Sequence, residues 1–140
     1  MKRLLLLALS FATIGACQAQ VPVAKDFMGQ WKISKFIAYT KDNREASLSQ
    51  DLIGHVLAVA PKKLSLTMDD WTCDASEDSH ADWVDTAPYV EQHEGIAANA
   101  AQLPPATSVL STGDCLKIYW LDQRHIEFNF GGTFVVAEKQ

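Results

Sequence analysis

Asp26-Phe27-Met28-Gly29-Gln30-Trp31-Lys32-Ile33 is the stretch on which the reading of the fold turns. It opens a run from Trp31 to Tyr39 that is apolar, β-branched and aromatic in part, with Lys32, Ser34 and Lys35 interspersed. Trp31, Ile33 and Ile37 fall on one face at a period of two, as a half-buried strand requires. Phe36 breaks the alternation and marks a bulge or a second packed face.

The pattern continues downstream. Ser47-Leu48-Ser49-Gln50 has capping-box spacing and Gly54 a helix stop, so a short helix is expected from Leu48 to Ile53. His55 to Val59 reads as a strand, and Pro61-Lys62-Lys63 as a turn. Leu64, Leu66 and Met68 alternate with Ser65 and Thr67, the clearest amphipathic strand in the chain. Asp74 to Thr86 has no period and is expected as a long loop. Tyr89, His93, Ile96, Ala97, Ala100 and Leu103 form one helical stripe, opened by Pro88 and ended by Pro104-Pro105. Strands then follow at Thr107–Leu110, Cys115–Leu121 and Ile126–Phe130, and Gly131-Gly132 signals a two-residue hairpin into a last strand, Thr133–Ala137. These elements predict a mainly β domain: a small antiparallel barrel or strongly curled sheet of about seven strands, with one or two short helices.

The chain has 140 residues, 48% hydrophobic and 21% charged, which suits one globular domain. Lys2 and Arg3 precede an apolar run from Leu4 to Gly15, too short to span a bilayer and read as a signal peptide over residues 1–19. Residues 20–140 then form the domain. Ile14-Gly15-Ala16-Cys17 resembles a bacterial lipobox, which implies lipidation of Cys17 and, with Gln18 next, sorting to the outer membrane. Ordinary cleavage after Ala19 is the other reading. Either way the protein is expected in the periplasm, soluble or anchored through Cys17.

Cys73 and Cys115 remain as a pair. In an oxidising compartment they are expected to form a disulfide, with a free or metal-bound pair as the alternative. Closing a loop of about 40 residues is worth about 4 kcal/mol in the chain-entropy model.

The residues Phe27-x-Gly29-x-Trp31-Lys32 at the head of the first strand resemble the N-terminal signature of the lipocalin and fatty-acid-binding superfamily. That resemblance implies an up-and-down barrel with Gly29 and Trp31 as structural anchors and Trp31 packed across the closed end. It also implies a basic residue of the last strand over the Trp, for which Lys139 is the late candidate. The resemblance covers about ten residues, and the acidic segment and internal helix lie outside it.

Between Lys63 and Lys117 there is no Lys or Arg, while 10 of the 17 acids fall there, with Trp71, Trp83 and Tyr89 interleaved. Asp74, Glu77, Asp78, Asp82, Trp83 and Asp85 are the candidate partner-binding residues, because uniform charge steers a cationic partner and an aromatic anchors it. The same acidity argues against nucleic acid, which needs clustered Lys and Arg. No catalytic residue, metal ligand or cofactor is assigned. There is no Gly-x-Ser-x-Gly elbow, and His93-Glu94 lacks the second His of a zinc-protease helix, where Ala97 stands. Two functions are expected of a non-enzymatic envelope binding protein: a small apolar ligand held inside the barrel, as the Gly29–Trp31 motif suggests, or a basic protein such as a cell-wall hydrolase or effector docked on the acidic 69–94 segment.

Overall fold

A computed structural model describes residues 20–40, 48–75 and 77–140. The signal segment, Cys17 and the polar loop expected from Lys41 lie outside the described residues.

Nine antiparallel strands among these residues make one curled sheet, a half-barrel. A four-residue helix, α1 (Ala24–Phe27), leads into β1 (Gly29–Tyr39). After α2 (Leu48–Leu52) come β2 (Val56–Val59), β3 (Lys63–Leu66) and β4 (Trp71–Asp74), which pair as a meander outward from β1. A second meander runs from β5 (His80–Asp85) through β6 (Ala106–Ser111), β7 (Lys117–Asp122) and β8 (His125–Phe130) to β9 (Thr133–Lys139). Pairing of β1 with β9 joins the two, so β4 and β5, neighbours in sequence, are the two edges. Between β5 and β6 lie α3 (Thr86–Glu94) and α4 (Ala98–Ala101).

The core has two sides. On the concave side Phe27, Trp31, Leu57, Leu64, Leu110, Ile118, Ile126 and Phe128 pack together, each with no exposed surface. On the convex side Val90, Ile96 and Ala101 of the helical segment cover Val109, Tyr119 and Phe134.

Four expectations are corrected. Among the described residues the strands number nine, where about seven are expected. The expected loop from Asp74 to Thr86 contains β5, hidden because most of its residues are exposed and no apolar period survives. The single helix expected from Pro88 to Leu103 is two, broken at Gly95, whose φ of 64° is left-handed and ends α3. Ile37 does not share a face with Trp31 and Ile33. Register shifts between Ile33 and Lys35 and between Phe36 and Ala38 turn it to the convex cluster, which is the parity change that a bulge produces. The hairpin at Gly131-Gly132 forms as expected, with φ of 57° and 82° and Phe130 paired to Thr133.

The disulfide is present. Cys73 on β4 joins Cys115 in the β6–β7 connection, with Cα atoms 5.9 Å apart. It fastens one edge of the sheet across the mouth of the curl. Trp71, also on β4, stacks edge-on against Phe130 at 5.2 Å on the same side.

Candidate functional site

At one end of the curl the opening stretch acts as a plug. α1 turns the chain so that Phe27 faces inward, and its carbonyl accepts a hydrogen bond from Trp31 Nε1 at 2.8 Å. Trp120 meets Phe27 at 5.1 Å and Trp31 at 6.2 Å, both edge-to-face. Gly29 sits at φ 124°, a conformation that L side chains rarely adopt. Lys139, paired with Trp31 in the ladder, lays its ammonium 5.0 Å above the indole and donates to the Asp26 carbonyl at 3.2 Å. A cation over an indole at an exposed site contributes about 0.5–1 kcal/mol. Lys139→Met, which keeps the aliphatic stem, is expected to lower unfolding free energy by that amount in urea titration; an unchanged midpoint would show that the ammonium adds nothing.

The centre of the concave side is closed to water. Trp31, Phe27 and Phe128 have no surface open to water, inside or out. Trp71, Leu116, Trp120 and Phe130 of the same cluster are only partly buried. The larger clefts among the described residues open on the surface. One of about 420 Å³ lies between Lys32, Ile53, Gly54 and Glu138, one of about 360 Å³ between Lys25, Trp120, Gln123 and Lys139, and one of about 290 Å³ beside His93, Glu94 and Asp114.

The candidate partner-binding residues are spread along β4, the β4–β5 connection and β5. The connection from β4 to β5 is held to the β2–β3 turn: Ala75 N–H donates to the Lys62 carbonyl at 2.7 Å, and the Ser79 hydroxyl donates to the Pro61 carbonyl at 2.6 Å. Asp74 is paired with Lys63 in the ladder, and Asp78 meets Lys62 at 3.1 Å. The Lys62–Asp78 pair is exposed on both sides, so it orders the segment weakly. β5 then presents His80, Asp82, Trp83 and Asp85 to solvent, with His80 Nε2 3.3 Å from Asp82. Asp74, Glu77, Asp78, Asp82, Trp83 and Asp85 are all exposed. Trp83, 58% exposed, is the one aromatic among the exposed large apolar residues described.

The histidines are dispersed. His55 Nδ1 meets Thr67 Oγ1 at 2.9 Å, His93 stacks on Tyr89 at 4.3 Å, and His125 Nδ1 lies 2.9 Å from Asp122. Partial burial draws the Asp122 carboxyl upward, but hydrogen bonds from the Arg124 N–H and the His125 ring outweigh it and hold it below the usual carboxylate range. Among the described residues no three His, Cys, Asp or Glu side chains are grouped for a metal ion.

A polar cluster that the sequence did not disclose lies under α3. Glu94 reaches inward to accept from the Tyr119 hydroxyl at 2.9 Å and from Asn129 Nδ2 at 2.9 Å. Burial and the adjacent Glu94 push the Tyr119 hydroxyl well above its usual range. On the same convex face Glu127, opposite Tyr119 and Val136, is 1% exposed and leaves Oε1 without a hydrogen-bond partner. Burial raises its carboxyl to about 8, with Lys35 pulling the other way. In the sequence Ile126-Glu127-Phe128 reads as an ordinary strand with one wet face; only the helices packed around Tyr119 reveal that the face is covered.

Comparison with family models, with curated proteins and with solved structures finds no match to the chain.

Proposed function

We propose that the chain is an exported, non-enzymatic binding module of the bacterial cell envelope. It docks a cationic protein, such as a basic cell-wall hydrolase or effector, on the exposed flank formed by Asp74, Glu77, Asp78, Asp82, Trp83 and Asp85. A signal segment ending at Cys17 or near Ala19 delivers it to the periplasm, and lipidation of Cys17 would tether it to the outer membrane. The observation that carries this reading is Trp83, 58% exposed on an edge strand whose acids Asp82 and Asp85 are exposed as well. An indole left in water beside carboxylates has the makeup of an interface anchor, and the charge around it selects a basic partner. The other reading is a small apolar ligand inside the curl. The closed end built from Phe27, Gly29, Trp31 and Lys139 supports it, but the full burial of Phe27, Trp31 and Phe128 ranks it second.

The test is calorimetric titration with a cationic lysozyme as probe. Binding is expected to weaken at least tenfold between about 0.05 and 0.3 M salt, as screened surface charge requires. Trp83→Ala, which leaves the charge unchanged, is expected to cost about 2 kcal/mol, roughly thirtyfold in Kd. Absence of binding, or binding indifferent to both salt and Trp83, overturns the reading.

A further inference from the structure

β5 ends the sheet. Its six residues, His80 to Asp85, pair with Ser111 to Ala106 of β6 in unbroken register, and among the described residues no strand lies on the other side. A strand paired on one side only directs alternate N–H and C=O groups outward, a template for another strand. The other edge is treated differently. β4 is fastened by the Cys73–Cys115 bridge and by Trp71 on Phe130. β5 has neither fastening, and it lacks the Lys, Pro or bulge that commonly blunts such an edge.

Its side chains alternate. Ala81 packs with the concave cluster, so Trp83 and Asp85 stand on that side; Val84 packs with the convex cluster, so His80 and Asp82 stand on the other. An incoming strand would therefore meet an indole on one face and a carboxylate on the other.

Resting on the docking reading above, we propose that the cationic partner engages β5 by strand addition: an extended segment of the partner, rich in Lys or Arg, pairs along this edge. Main-chain hydrogen bonds supply the affinity, and the alternating faces supply the choice of sequence. A basic residue opposite Asp82 gains a cross-strand charge pair, and an Arg or apolar residue beside Trp83 covers the indole. A second copy of β5 is a poor occupant, since it sets acid against acid along the edge.

The probe is an eight-residue peptide of alternating Lys and Thr, titrated into the protein. Two variants carry N-methyl groups on the odd or on the even backbone nitrogens, which removes the donors along one side of the peptide. The unmodified peptide is expected to bind and to slow amide hydrogen exchange in β5 at least tenfold. One N-methyl set is expected to lose at least tenfold in affinity while the other stays within twofold. Asp82→Lys is expected to lose tenfold or more. Equal affinities for the two methylated peptides, with binding still dependent on Trp83, overturn strand addition and leave surface docking standing. A peptide that fails where the lysozyme probe binds also overturns strand addition. If neither peptide nor lysozyme binds, both readings fall.

Discussion

Replacing Cys73 and Cys115 together by Ser is expected to lower the unfolding free energy by about 4 kcal/mol, because the bridge closes a span of 42 residues that the reduced unfolded chain explores freely. In a domain of this size that corresponds to a fall in Tm of about 15 °C. In the folded state the loss is felt at one edge of the sheet. β4 pairs only with β3 in the sheet, and its remaining anchor is Trp71 against Phe130. Losing the bridge frees an edge strand and the β6–β7 connection at once. Reductant on the wild type should reproduce the shift, with a thiol assay confirming that the bridge has opened. An unchanged Tm with both thiols titratable would show that the bridge holds nothing that packing does not already hold.

The second large effect is a pH dependence centred on Glu127. Its carboxyl is raised from 4.5 to about 8 in the fold, so the fold favours the protonated form. The stability contribution is full below the unfolded value and is lost progressively as pH rises from about 4.5 to about 8, then levels. At pH 7 the cost relative to an unperturbed carboxyl is about 3 kcal/mol. Glu127→Gln keeps the shape and removes the titration. It is therefore expected to be more stable than the wild type by up to about 3 kcal/mol at pH 7 and about 4 kcal/mol at pH 8, and nearly equal to it at pH 4. The difference between the two proteins, measured by urea unfolding across that range, isolates Glu127 from Asp122, whose lowered carboxyl acts in the opposite sense at acid pH. A difference that stays flat with pH would mean that Glu127 is ionised in the fold and fully compensated, with Lys35 as the positive charge acting on it.

What the sequence discloses of this fold follows from which faces are wet. Leu64 and Leu66 alternate cleanly because β3 buries one face, and Gly131-Gly132 announces its hairpin because the turn demands positive φ. β5 is illegible for the opposite reason: an edge strand exposed over most of its length carries no apolar period. The parity change in β1 is hinted at by Phe36 and settled only by pairing with β9. The cysteine pair is legible by count, and the exposed flank by its charge. The Glu94–Tyr119–Asn129 network and Glu127 are not, since a polar residue at every second position of a strand ordinarily faces water. Trp31 is legible as a core anchor, while its contact with Lys139 depends on the β1–β9 register, which joins residues more than 100 positions apart.

We propose that this half-barrel binds at its acidic edge rather than within its curve. The most direct test is an amide chemical-shift map of the protein during titration with the cationic lysozyme. The account predicts shifts confined to Asp74–Ser79, β5 and its partner β6, lost in Trp83→Ala, with Trp31, Ile118 and Phe128 unmoved. Shifts centred on those concave residues, with β5 silent, would contradict it.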